Sequence, residues 1–256
     1  YNYLWNEKGY CSQVSQLGHG RSYYINERAD MCMINSHDAR YVYLRDDESG
    51  DCWNIGYGPM NTPVENYECE HSISHSTLRS TRDGISASWR IWTIVVNNTG
   101  SRARCLSLFS AVSFDLEGFA YPRYYEMYRC METFFDAESN GIFCASAHPF
   151  APHDRYNGFL VASEPPFAYD GDLSRFCGTN STITKLDASV CALFQRPQLV
   201  VQGMDCTRSE GALFVLGGVL QHSCAIKRHA KAPFSRQLSI TGANMARFPS
   251  VLRINS

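Results

Sequence analysis

Ile85-Ser86-Ala87-Ser88-Trp89-Arg90-Ile91-Trp92-Thr93-Ile94-Val95-Val96 is the stretch whose reading decides the fold. Ile85, Ala87, Trp89 and Ile91 are apolar, and Ser86, Ser88 and Arg90 between them are polar. A period of two belongs to a strand with one dry face and one wet face. From Trp92 to Val96 apolar residues fall on both faces, as in a strand end covered on both sides. Asn97-Asn98-Thr99-Gly100 follows. Asn and Gly tolerate positive φ, so these residues are expected to turn the chain back tightly. The return strand is then Arg104 to Phe114. A ribbon this long hides its apolar face only against a second sheet. The expected fold class is therefore all-β, a large antiparallel β-sandwich.

Outward from this ribbon, short strand-like runs recur between turn residues. They are Arg21 to Ile25, Arg40 to Arg45, Asn66 to His71, His75 to Ser80, Tyr125 to Phe135, Gly141 to Ala147 and Gly158 to Ala162. Ala188 to Phe194, Gln198 to Gln202 and Gly211 to Val219 follow. Asp115 to Pro122 and His148 to Tyr156 carry Pro, Gly and Asp and read as long loops. A weak helical pattern covers Gln221 to Lys231, and the tail from Ala232 onward reads as irregular. The chain starts with Tyr1-Asn2-Tyr3-Leu4-Trp5, already dense in aromatics, and reads as a fragment or a processed chain.

The composition narrows the function classes. The chain has 256 residues, 44% hydrophobic and 19% charged, which suits a globular protein with a sizeable core. Its formal net charge is -2, with the charges scattered, so it lacks the basic footprint of a nucleic-acid binder or a polybasic membrane patch. The run from Ala212 to Leu220 is too short to cross a bilayer. The 11 cysteines form no Cys-x-x-Cys pair, which argues against a structural zinc site. An odd count at this length reads as reduced thiols in a cytoplasm, with a disulfide framework as the rival.

Several clusters invite a chemical reading. Arg45-Asp46-Asp47-Glu48-Ser49-Gly50-Asp51 lacks the spacing of a calcium loop and reads as a solvated turn. His71 and His75 lie four apart beside Glu70, but the surrounding residues read as strand and turn, so helical metal-ligand geometry fails. His71, His75 or His148 with a carboxylate remain possible acid-base pairs for sugar-ring opening. The chain lacks Gly-x-Ser-x-Gly, a Walker loop and a dinucleotide fingerprint. Flat aromatic faces suit stacking on sugar rings, with core packing as the alternative. Trp89 sits on the apolar face and reads as core. Trp53, following the acidic turn, is the better candidate for exposure. Trp53, Tyr23, Tyr24 and His71 are the candidate carbohydrate-facing residues, and the chain offers no candidate catalytic residue and no metal site.

A set of motifs in common order resembles one family. Asn2-Tyr3-Leu4-Trp5-Asn6-Glu7, Gly18-His19-Gly20-Arg21-Ser22-Tyr23-Tyr24 and Tyr41-Val42-Tyr43-Leu44-Arg45-Asp46-Asp47 come first, the last followed by Asp51-Cys52-Trp53-Asn54. Tyr67-Glu68-Cys69-Glu70-His71, Asn98-Thr99-Gly100 and Leu106-Ser107-Leu108-Phe109-Ser110 come next. Tyr169-Asp170-Gly171-Asp172, Phe176-Cys177-Gly178 and Phe214-Val215-Leu216-Gly217 close the series. Together, from Tyr1 to about Gly218, they resemble the cellobiose-phosphorylase-type enzymes of glycoside hydrolase family 94, formerly glycosyltransferase family 36. The resemblance implies an N-terminal supersandwich, similar to galactose mutarotase, followed by a helical linker and an (α/α)6 catalytic barrel. On that footing residues 1–220 are the sandwich and 221–256 a linker or tail toward the barrel. The implied parent reaction is inverting phosphorolysis of a β-glucoside, such as cellobiose, to a sugar 1-phosphate. In it an Asp of the barrel protonates the glycosidic oxygen while phosphate attacks the anomeric carbon. Inorganic phosphate is then a co-substrate, and no cofactor is implied. The implied partners are the barrel, a β-linked di- or oligosaccharide and a second copy in a cytoplasmic homodimer. A stand-alone sugar-binding or mutarotase-like sandwich is the second reading.

Overall fold

A computed structural model describes residues 1–25, 31–35, 40–90, 93–118, 130–148, 151–172, 176, 206–207, 216–226 and 235–242. Apart from Phe176, which is helical, the regular elements among them are strands. In chain order these are β1 (Asn2–Trp5), β2 (Tyr10–Val14), β3 (Ser22–Ile25), β4 (Met31–Asn35), β5 (Arg40–Asp46) and β6 (Cys52–Asn54). Then come β7 (Asn66–His71), β8 (Ser76–Arg82), β9 (Ile85–Arg90), β10 (Thr93–Asn98), β11 (Arg104–Ser113) and β12 (Glu117–Gly118). The last are β13 (Cys130–Asp136), β14 (Gly141–His148), β15 (Ala151–Ala162), β16 (Ala168–Asp172), β17 (Cys206–Thr207), β18 (Leu216–Ile226) and β19 (Ser235–Gly242).

They form three antiparallel sheets. The first runs β1-β2-β3-β4-β12, the second β17-β13-β14-β15-β19-β10-β9-β8-β7, and the third β16-β18-β11-β5-β6. One core joins all three: Val14 and Ile34 from the first, Leu78, Trp89, Ile94 and Leu160 from the second, Leu44, Trp53, Leu106 and Val112 from the third. The all-β sandwich expected from the ribbon is thus the observed architecture. All seven residues of β5 are buried. Its Val42 and Leu44 join the shared core, and Tyr43 packs on the other side against Phe176, 5.9 Å between ring centroids.

The ribbon itself folds differently from its expectation. The alternation in β9 holds, with Ile85, Ala87 and Trp89 buried. The reversal, however, comes earlier than Asn97: β10 pairs back on β9 with Thr93 opposite Arg90 and Asn98 opposite Ile85. This register sets Ile94 beside Trp89 and Val96 beside Ala87, all four in the core. A continuous strand through 91–96 would forgo those cross-strand pairs. Asn97 to Gly100 instead carries the chain to the third sheet, where β11 lies between β5 and β18. On the way it seats on the β8–β9 turn, with Thr99 N and Gly100 N donating to Gly84 O at 2.7 and 3.1 Å. Asp83 and Gly84 both have positive φ, the signature of a two-residue hairpin turn. A Cβ on Gly84 would stand 2.9 Å from Gly100 Cα, so the close approach needs glycine.

Three further expectations are corrected. Residues 151–156, read as loop, belong to β15. The weak helix expected from Gln221 is strand as far as Ile226, because β18 pairs with β11 from Gly217 to Ile226. The division at 220 falls inside that strand, and β19, in the supposed tail, fills the gap between β10 and β15. The sandwich strands therefore extend to Gly242. Residues 121–129, 188–194, 198–202 and 211–215 lie outside the described residues.

Candidate functional site

The first sheet has two unlike faces. Cross-strand partners in an antiparallel pair share a face. Leu4, Tyr10 and Tyr24 pack against the core, with Tyr10 opposite Tyr24 and their ring centroids 4.9 Å apart. The opposite face holds Tyr3 beside Gln13, and Trp5, Cys11, Tyr23 and Met33 in one row. Along β1 the exposure alternates strictly, with Tyr1, Tyr3 and Trp5 at 63%, 55% and 77% and Asn2 and Leu4 partly buried between them. Ile25, two residues beyond Tyr23, is 40% exposed. The polar tips on this outer face bond to one another: Gln13 Nε2 donates to the Tyr3 hydroxyl at 3.1 Å. The Cys11–Tyr23 hydrogen bond, with burial, pushes the Tyr23 phenol up to about 12.

Asn2 ties this sheet to the tip of the β7–β8 hairpin. Its Nδ2 donates to Ser72 O at 2.8 Å, to His75 O at 3.2 Å and to Ser76 Oγ at 3.0 Å. Arg40 makes a second tie between sheets. Fully buried on β5, it donates to Ser12 Oγ, Ser22 Oγ and Gln13 O, and burial pulls its guanidinium down to about 10.

The turn after β5 is the solvated hairpin its composition suggested, with Glu48 to Gly50 exposed and Gly50 N donating to Asp46 O at 2.8 Å, but the strand residues that flank it carry their charges inside. Arg45, Asp46 and Arg104 are buried. Arg104 pairs with Asp46 and, at 2.7 Å, with Asp83, while Arg45 pairs with Asp47 at 2.8 Å and lies over the Phe109 ring. Burial by itself would raise the Asp46 carboxyl, but the amides of Ser49 and Glu48 and the Arg104 guanidinium together hold it below the usual carboxylate range. Asp51 completes the network with Arg82 at 2.7 Å. These acids neutralise arginines and hold the turn.

A family model described as "Glycosyl hydrolase 94, supersandwich domain" matches residues 1–242. The chain belongs to that family. The solabiose phosphorylase of Paenibacillus borealis is 29% identical over 244 residues, which cover 88% of this chain and 30% of that protein. A 3-O-beta-D-glucopyranosyl-beta-D-glucuronide phosphorylase of the same species is 35% identical over 128 residues, 46% of this chain and 16% of that protein. The N,N'-diacetylchitobiose phosphorylase of Vibrio proteolyticus is 28% identical over 197 residues, 69% of this chain and 24% of that protein. The chain thus spans less than a third of the length of these relatives.

The four carbohydrate-facing candidates occupy four different environments of this supersandwich. Trp53 is 1% exposed, which corrects its reading as a surface ring. It sits opposite Leu44, so it shares the core face of the third sheet and cannot stack on a sugar at the surface. Tyr24 packs inward and Tyr23 outward, because adjacent strand residues face opposite ways. His71 is exposed at the end of β7, its Nδ1 2.9 Å from Ser76 Oγ and its Nε2 3.6 Å from Cys69 Sγ, and its residual burial lowers its pKa. His75 faces Glu70 at 3.9 Å instead. Among the described residues no group of three His, Cys, Asp or Glu is placed to hold a metal ion. Trp89 is core, as read from its pattern. Trp92, Tyr121, Tyr124 and Tyr125 lie outside the described residues, and nothing is described of the His148 side chain. What sequence reasoning passed over is Tyr1 and Tyr3 acting with Trp5. The signal was present in the alternation Tyr-Asn-Tyr-Leu-Trp.

Proposed function

We propose that this supersandwich is the non-catalytic carbohydrate-associated domain of a glycoside phosphorylase, working beside an (α/α)6 catalytic barrel. The observation that carries the reading is the family match over residues 1–242, together with relatives named phosphorylases and more than three times as long as the matched region. In the whole enzyme inorganic phosphate attacks the anomeric carbon of a β-glycoside while a carboxylic acid protonates the departing oxygen, with inversion. That acid belongs to the barrel. The acidic turn of this chain supports the division of labour, since Asp46, Asp47 and Asp51 are each engaged by an arginine. The sandwich shapes substrate access and takes part in a homodimer. Of the four candidates, His71, exposed at the end of β7, is the one we assign to a sugar held beside the domain. Cys11, Cys69 and Cys105, thiols not joined in disulfides among the described residues, support a cytoplasmic setting. No helix among the described residues is long and apolar enough to cross a membrane.

The test is phosphate release with glucose 1-phosphate and glucose, run on the chain alone and on a chimaera. In the chimaera the chain replaces the aligned stretch of the solabiose phosphorylase, which is assayed for its own reaction. No turnover by the chain and turnover by the chimaera are expected. Phosphorolysis or glucose mutarotation by the chain alone would refute the reading.

A further inference from the structure

The outer face of β1–β3 is built like the centre of an interface. Tyr1, Tyr3 and Trp5 span about 14 Å along the strand, from a rise of about 3.4 Å per residue. Tyr23 and Ile25 lie two strands away, about 10 Å across the sheet at ordinary strand spacing. Cys11 fills the row between Trp5 and Tyr23. Among the described residues of this sheet, charged side chains stand at the margin, where Glu7, Lys8 and Arg21 are exposed. An uncharged aromatic centre with a charged rim is the composition of protein–protein contacts. Exposed aromatic and aliphatic groups that adjoin in this way mark an interaction surface, whereas isolated ones do not.

The geometry points to this face as the seat of the catalytic domain, the part of the enzyme that this chain does not contain. The inference rests on the phosphorylase reading above. Two observations select this occupant. First, the relatives carry most of their length outside the matched region, and that remainder is held next to the sandwich at high effective concentration. Second, polar tips on the face turn to one another, Gln13 Nε2 donating to the Tyr3 hydroxyl at 3.1 Å, and the rest of the exposed row is aromatic or aliphatic. A sugar needs convergent free hydrogen-bonding groups, whereas a packed protein surface needs apolar area and shape.

The test is oxidative footprinting of Trp5 and Tyr3 in the chain alone and in the solabiose phosphorylase chimaera. Severalfold protection in the chimaera is expected, with Tyr57, exposed elsewhere, unchanged as an internal reference. Trp5→Ser with Tyr3→Ser should leave the unfolding midpoint of the isolated chain in place and lower the assembled activity of the chimaera severalfold. An active chimaera with Trp5 as reactive as in the chain alone overturns the docking face and leaves the phosphorylase role intact. A chimaera that is inactive with no change in labelling overturns the role itself. Protection of Trp5 in the isolated chain, rising with its concentration or on addition of cello-oligosaccharide, would assign the face to a second copy or to sugar and overturn the inference.

Discussion

Two outer sheet faces of this molecule answer the same alternating pattern in opposite ways. On β7 to β10 the outward positions are mostly polar: Glu68 and Glu70, Thr77, Arg79 and Thr81, Ser86, Ser88 and Arg90, then Thr93, Val95 and Asn97. Arg79 bridges the two glutamates at 3.4 and 2.9 Å, an arrangement suited to water. On β1 to β3 the outward positions are Tyr1, Tyr3, Trp5, Cys11, Tyr23 and Ile25, with Gln13 beside Tyr3. The contrast teaches that alternation reports a two-sided strand, while the character of the outer set reports whether that side stays wet. Residue type alone reports neither: Trp5 is 77% exposed and Trp53 1%.

The comparison is open to attack by mutation, and the largest effect should come from the tryptophans. Trp53→Ala removes a buried ring and should lower unfolding free energy by about 3–5 kcal/mol in chemical denaturation. A loss as small as that of a surface change would contradict the inward placement of β6.

Next is the buried acid. Asp46→Asn leaves Arg104 buried with one carboxylate fewer and should cost about 3 kcal/mol near neutral pH. The sign with pH follows from the lowered pKa of Asp46. Its stabilisation is fully present above the unfolded carboxylate value of about 4 and is lost as pH falls through the lower folded value. Denaturation midpoints measured on the acid side should therefore fall less steeply in Asp46→Asn than in the parent. Parallel acid profiles would remove Asp46 from the network.

A smaller effect is expected where the two faces meet. Asn2→Ala removes three hydrogen bonds to the β7–β8 tip and should cost about 1–2 kcal/mol, with faster amide exchange at Ser72 to Ser76. Unchanged exchange there would mean that Asn2 does not hold the sheets together.

The smallest effects separate the outer faces from the interior. Arg79→Ala breaks exposed ion pairs and Trp5→Ser removes an exposed ring, and each should change stability by no more than about 0.5 kcal/mol. A large loss from Trp5→Ser would show that its ring is already packed in the isolated chain.

Much of the fold was legible because burial writes a local signature. Ile85, Ala87 and Trp89 announced the dry side of β9, and Asn66–His71 stands as a strand with the bounds read from its residues. The candidate site was legible only in part. Tyr23 and Tyr24 read as a pair, although the pleat sends one to each side. Trp53 read as exposed because its neighbours are acidic, yet Asp46 and Asp51 pair with arginines from distant strands and Asp47 with Arg45 beside it. The ion partner of Asp46 has no local sequence pattern, since Arg104 arrives from β11, as does Ser107, whose hydroxyl donates to Asp47.

From its sequence alone, then, the chain declared an antiparallel β fold, the inward residues of β9, and motifs shared with a phosphorylase family. Those properties depend on near neighbours and on residue chemistry. Tertiary structure decided which strands pair, that the ribbon folds back before Thr93, that residues 216–226 and 235–242 complete two sheets, and which aromatic face is left outside. The physical reason is that strand pairing has no local code: register and partner are chosen by the apolar area that distant segments hide together.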